Sequence, residues 1–145
     1  MILFSSALEF VVNKIIIMSS LIVDAARDKI FLTFIVSENI YTCSHENSKI
    51  NFEKLILLIN QFLKNSKSSL DYVDAIYVNR GPGSFAGIRN SLSTIKALFL
   101  TKKIDYYCFS FSDFEESETI KYVDVPDLCE KYKIKKNLIN PIYLS

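Results

Sequence analysis

All three glycines of this 145-residue chain fall inside one stretch, Gly81-Pro82-Gly83-Ser84-Phe85-Ala86-Gly87. A chain that spends every glycine in one loop needs backbone geometry there that a side chain would forbid. The apolar, β-branched run Val73 to Val78 leads into the loop. After it, Ile88, Leu92, Ile95 and Phe99 recur at helical spacing, with Ala97, Leu98 and Leu100 beside them, which predicts a helix from about Ser84 to Thr101. Another strand is expected over Ile104 to Phe109. A strand-helix-strand unit of this length implies a right-handed parallel crossover.

The chain before the loop reads as three short strands: Leu21 to Ala25, Ile30 to Val36, and Ile40 to Cys43. Polar turns separate them, which predicts an antiparallel meander. Ser48 or Asn51 is placed to cap a helix whose apolar positions are Phe52, Leu55, Ile56, Ile59, Phe62 and Leu63. Leu57 and Leu58 widen that stripe beyond the roughly 100° that a surface helix needs. The helix therefore either buries a second face or lies deep in its own core. The resulting order, β-β-β-α-β-α-β, predicts an α/β mixed sheet with helices on its faces. That is the ribonuclease-H-like or actin-like (ASKHA) lobe.

After Phe111 the texture changes. Ser112 to Thr119 reads as a linker, Tyr122 to Val125 as a strand, and Pro126 to Tyr132 as a short helix with proline in its first turn. Lys131, Lys133, Lys135 and Lys136 form a basic cluster, read as a solvated face in preference to a phosphate contact. Residues 1–17 are expected to be an appended extension, with translation starting at Met18 as one explanation. Glu9 and Lys14 interrupt their apolar runs, so no unbroken span of ~20 apolar residues is present. No basic segment precedes the first apolar run, which argues against a signal peptide. The expected division is thus 1–17 extension, 18–111 lobe, and 112–145 a short remnant of a second lobe.

Composition excludes more than it selects. A net charge of +1 gives no global case for nucleic acid or a membrane surface. Cys43, Cys108 and Cys129 are odd in number, far apart and in no CxxC pair, as in a cytoplasmic protein with reduced thiols. His45 is the only histidine, which leaves no Cys/His zinc site and no Ser-His-Asp triad unless His45 serves it.

The loop itself can do two things. Pro82 fixes its own φ and pushes Gly81 towards an extended backbone, while Gly83 is free to take positive φ. Ser84 is placed as N-cap, accepting from the N–H of Ala86 or Gly87, and N–H groups of Gly83 to Phe85 would point outwards from a positive helix end. Such an end can hold a phosphate or a carboxylate. The other reading is pure helix-start geometry, with Gly87 letting another backbone approach closely. The spacing fits neither a dinucleotide fingerprint nor a Walker A loop, and Ser84 lacks the nucleophile-elbow frame.

Gly81-Pro82-Gly83-Ser84-Phe85-Ala86-Gly87-Ile88-Arg89, after Ala75-Ile76-Tyr77-Val78, closely resembles the TsaB family, also called YeaZ, whose loop reads G-P-G-S-F-T-G-[LIV]-R. Leu21-Ile22-Val23-Asp24-Ala25 resembles that family's first strand, and Pro141-Ile142-Tyr143-Leu144 its closing P-x-Y-L. The resemblance covers about residues 18–111 and the last few. It implies a role in making N6-threonylcarbamoyladenosine at position 37 of tRNAs that read ANN codons. TsaB-like proteins are paralogues of the transferase TsaD and pair with it through two helices of the N-terminal lobe. A TsaE ATPase joins the complex, and TsaC supplies threonylcarbamoyl-adenylate.

On that resemblance the chain is a non-catalytic accessory subunit with no tightly bound cofactor, engaging ATP and magnesium only in the complex and tRNA only indirectly. No membrane contact is expected, and a homodimer through the same helices is an alternative pairing. The expected interface is Leu55, Ile56, Ile59 and Phe62 from the first helix with Arg89, Leu92, Ile95, Lys96 and Phe99 from the second. The expected anion or nucleotide contacts are Asp24, Gly81, Pro82, Gly83, Ser84, Phe85 and Gly87. Four departures bear on this: the short segment Ser112 to Ser145 where members carry a second lobe, Ala25-Ala26 in place of a hydroxyl-bearing turn, Ala86 in place of threonine, and residues such as Ser91 where later glycines are common. Two other functions remain open from the residues alone: an autonomous actin-fold nucleotide enzyme with Asp24 holding a magnesium-bound water, and a degenerate copy retaining only the lobe.

Overall fold

The computed structural model describes residues 18–143. The expected extension at residues 1–17 and Leu144 of the closing motif lie outside the described residues. Five strands form one mixed sheet: β1 (Ser20–Asp24), β2 (Lys29–Val36), β3 (Asn39–Glu46), β4 (Ala75–Asn79) and β5 (Asp105–Phe109), in the spatial order β3-β2-β1-β4-β5. β1 pairs antiparallel with β2 and parallel with β4, and β4 pairs parallel with β5. The meander and the parallel half thus meet at β1. Its five residues are all buried because both of its faces are covered.

Helices α1 (Lys49–Glu53), α2 (Leu55–Asn65) and α3 (Phe85–Lys102) cover one face. The expected first helix is broken at Lys54, which leaves helical geometry at φ −110° and ψ 26°. Ser48 is the cap, its hydroxyl accepting from the Asn51 N–H at 3.2 Å. The wide stripe resolves into one buried edge, with Leu55, Ile59, Phe62 and Leu63 packed against Leu21, Val23, Leu32, Ile76 and Val78 of the sheet. Leu57 is left exposed.

The opposite face is covered by the residues that follow β5. Side chains alternate across a strand, so Ile22, Ala75, Tyr77 and Phe109 point away from the helices. They pack with Phe114, Val125, Leu128 and Cys129. The strand expected at Tyr122 to Val125 is instead a 3-10 turn, Tyr122–Asp124, leading into helix α4 (Val125–Lys131). The Asp124 carboxylate accepts the Lys121 N–H at 3.0 Å, and this local turn outcompetes the β-branched pattern. Beyond α4 the chain returns along β5, where Tyr106 and Asn137 exchange hydrogen bonds of 2.8 and 2.9 Å. Among the described residues no helix is long and apolar enough to cross a membrane.

Tyr106 is fully buried, its ring edge-on to Phe99 at 5.6 Å, and its hydroxyl has no hydrogen-bond partner among the described residues. An unsatisfied buried hydroxyl costs about 1–3 kcal/mol. Tyr106→Phe is therefore expected to leave stability unchanged or raise it by about 1 kcal/mol in urea unfolding. A loss of stability would show that the hydroxyl is bonded.

Candidate functional site

The glycine loop lies against the turn between β1 and β2. A Cβ at Gly87 would sit 1.8 Å from the Ala25 carbonyl oxygen, and one at Gly83 would sit 2.0 Å from that of Ala26. Both glycines are therefore required by close backbone approach. Gly83 needs no positive φ; that conformation falls to Gly81, at φ +107°, where an extended backbone was expected. A Cβ on Gly81 would meet the Ile142 carbonyl oxygen at 2.2 Å, so the returning chain is what crowds it. The Gly81 N–H is taken by the Asn79 side-chain oxygen at 2.9 Å.

Ser84 caps α3 as expected, accepting from the Gly87 N–H at 3.2 Å. Its own N–H donates to the Ala26 carbonyl at 2.9 Å and so does not point outwards. The loop spends that donor on holding the β1–β2 turn. Pro82 and Phe85 are exposed, and the Phe85 ring rests 4.8 Å from that of Tyr143.

Asp24, expected at the mouth of a nucleotide site, is fully buried. One carboxylate oxygen accepts the Ala26 N–H at 3.0 Å and the other accepts the Tyr122 hydroxyl at 2.6 Å. Burial pushes its pKa above the ordinary carboxylate value; hydrogen bonding from Tyr122, Asn79 and Ala26 and the nearby Arg27 charge oppose that rise. Arg27 donates to the same Tyr122 hydroxyl at 3.2 Å and lies 5.6 Å over the Phe111 ring. The carboxylate expected to hold a magnesium-bound water is thus bonded to the chain's own tyrosine.

The expected interface divides. Leu55, Ile59, Phe62, Leu92 and Ile95 are core residues, because the helical face of the sheet takes up both stripes. Ile56 and Phe99 are partly buried against that core. Arg89 and Lys96 are exposed, Lys96 lying 5.2 Å over the Phe99 ring. The outer face of α3 is instead bounded by two open grooves. One, of about 420 Å³, lies between Arg89, Lys96, Ala97 and Leu100 of α3 and Ile139, Pro141 and Tyr143 of the returning chain. The other, of about 460 Å³, separates α3 from Lys49, Phe52 and Glu53 of α1. Arg89 and Ser93 line both.

Sequence reasoning missed what holds the returning chain. Arg80 binds Asp113 through two hydrogen bonds, 2.6 and 3.3 Å, and donates to the Asn140 carbonyl at 3.0 Å. The Ile142 N–H donates to the Arg80 carbonyl at 2.7 Å. Arg80 stood beside the glycine motif, but nothing local marked Asp113 or Asn140 as its partners. Of the basic cluster, Lys131 pairs with Glu116 at 3.0 Å and Lys136 with Asp105 at 3.7 Å, all near the surface.

A family model described as "TsaD: tRNA N6-adenosine threonylcarbamoyltransferase" matches residues 45–110, which run from the end of β3 through the loop to β5. Two curated proteins named tRNA threonylcarbamoyladenosine biosynthesis protein TsaB are similar. The one from Buchnera aphidicola subsp. Schizaphis graminum is 29% identical over 62% of this chain and 43% of its own length. The one from Buchnera aphidicola subsp. Baizongia pistaciae is 31% identical over 50% of this chain and 38% of its own. YeaZ from Pseudomonas aeruginosa has the same fold, with a TM-score of 0.59 at 19% identity over 64% of this chain and 44% of that one.

Over part of its length the chain is similar to proteins of the TsaB (YeaZ) family. It spans less than half the length of the curated relatives it matches. Its mixed sheet has the ASKHA-type architecture of the N-terminal lobe. Within this TsaB-like lobe, the glycine signature maps onto backbone contacts with the β1–β2 turn and the returning chain.

Two outcomes follow from that geometry. Gly87→Ala forces a Cβ against a backbone oxygen that cannot rotate away. It should cost about 1–3 kcal/mol in chemical unfolding, the range of core overpacking, while exposed Ala86→Ser stays within about 0.5 kcal/mol. Asp24 binds its proton more tightly when folded, so its contribution is fully present below the ordinary value of 3.8 and is lost as pH rises through the raised pKa. Asp24→Asn should therefore gain stability relative to wild type as pH rises from about 4 through the raised pKa, read from paired urea titrations. A relative loss over that window would contradict the sign.

Proposed function

We propose that this chain is a non-catalytic partner subunit in forming N6-threonylcarbamoyladenosine at position 37 of tRNA. It docks on a TsaD-like transferase through the outer face of α3. The observation that carries this reading is the shape and composition of that face: Ala97 and Leu100 beside Ile139, Pro141 and Tyr143, rimmed by Arg89 and Lys96. Leu100 is 59% exposed, on a helix whose inner stripe is already buried. An apolar groove with a charged rim on a small domain suits a protein partner. The names of the curated relatives support the pathway.

The burial of Asp24 under Tyr122 favours this reading over an autonomous nucleotide enzyme. ATP and magnesium then engage only in the complex, a TsaE-like ATPase joins it, and tRNA is contacted through the transferase. On this reading the protein is cytoplasmic, residues 18–111 supply the sheet and α3, and the residues after 111 cover the second sheet face and complete the docking groove.

The test is co-purification and calorimetry with the cognate TsaD-like subunit. Wild type should form a complex at micromolar concentration. Leu100→Glu should weaken it by more than about tenfold, as expected at an apolar hot spot, with thermal unfolding unchanged. A chain that stays monomeric beside its cognate transferase would sink the proposal. Depleting the protein should lower modified adenosine in tRNA; an unchanged level would leave a degenerate copy as the better description.

A further inference from the structure

Four hydrogen bonds link Tyr122, in the 3-10 turn before α4, to the start of α3. The Tyr122 hydroxyl donates to one Asp24 oxygen at 2.6 Å, and the Ala26 N–H donates to the other at 3.0 Å. The Ala26 carbonyl then accepts the Ser84 N–H at 2.9 Å, and the Ser84 hydroxyl accepts the Gly87 N–H at 3.2 Å. Asp24 is fully buried, so an unmatched oxygen there cannot be satisfied by bulk water. The β1–β2 turn between these bonds is also pinned by contact with Gly83 and Gly87.

We propose that Tyr122 is a positioning residue for the docking helix. Its bond to Asp24 sets the β1–β2 turn, and the Ala26 carbonyl passes that setting to the N-terminus of α3, where Phe85 and Arg89 stand. The hydroxyl is fixed from its other side by Arg27, at 3.2 Å, and its ring by Phe31 and Phe111, at centroid distances of 5.8 and 6.0 Å. The turn between β1 and β2 is short, Ala25 to Asp28, so Asp24 and Ala26 are tied closely to it. Only the docking part of the inference rests on the function proposed above; the relay itself does not.

Amide hydrogen exchange on the full chain tests it with Tyr122→Phe, Asp24→Asn and the double variant. Tyr122→Phe keeps the ring and removes the donor. The Ala26 and Ser84 amides should then exchange about tenfold faster, the effect of losing a hydrogen bond to a charged group. The Arg80 amide, bonded to Phe109 between β4 and β5, should hold within about twofold. In the Asp24→Asn background the same substitution should have a much smaller effect, because no charge is left stranded.

Unchanged Ser84 exchange in Tyr122→Phe overturns the proposal. So does acceleration spread evenly over the sheet, or an effect of equal size in both backgrounds, since either makes Tyr122 a packing residue. Against a TsaD-like subunit, Tyr122→Phe should weaken binding several-fold without touching the groove. If the exchange pattern appears but wild type does not bind, the relay stands and the docking reading fails. If wild type binds and Tyr122→Phe binds equally well, the positioning role fails and the docking reading stands.

Discussion

The contact between the glycine loop and the β1–β2 turn is what the rest of this lobe depends on. Two carbonyl oxygens, those of Ala25 and Ala26, lie where side chains on Gly87 and Gly83 would be. That approach sets the distance from the start of α3 to the central strand, and so which face of α3 is buried. Ile88, Leu92 and Ile95 turn inward as a consequence, leaving Arg89, Lys96 and Leu100 outside. The outward face of α3 is thus set in part by a backbone contact at one end of the helix.

The same turn is gripped from its other side. Residues following β5 supply the apolar cover that the second sheet face needs, and with it the tyrosine that satisfies Asp24. A buried carboxylate is tolerable only when its oxygens are bonded. Here one bond is local, two residues away, and the other spans 98 residues. The returning chain then passes the loop again, where Arg80 fixes it through Asp113 and Asn140 and places Pro141 and Tyr143 beside α3. One segment therefore closes the second core, seals Asp24 and builds a wall of the groove.

Much of this was legible in the residues. Alternation and turn chemistry located all five strands, and Ser84 was identifiable as a cap because its hydroxyl acts within three residues. Local signals failed where a distant group competed. Tyr122 to Val125 has strand character, yet Asp124 and Asp24 draw it into a turn. Leu55, Ile59, Phe62, Leu92 and Ile95 looked like surplus apolar surface, because a helical stripe does not say how large a sheet face will cover it. The Ser84 N–H looked free because its acceptor, the Ala26 carbonyl, lies 58 positions earlier in the chain.

By itself, the sequence determined the order of elements, the helix start at Ser84 and the family resemblance of the loop. Each rests on periodicity or on chemistry between near neighbours. Tertiary structure alone decided which donors were spent, which carboxylate was sealed and which side of α3 faced outward. Those outcomes depend on steric exclusion and burial between segments far apart in the chain, and a glycine records only that something comes close, not what.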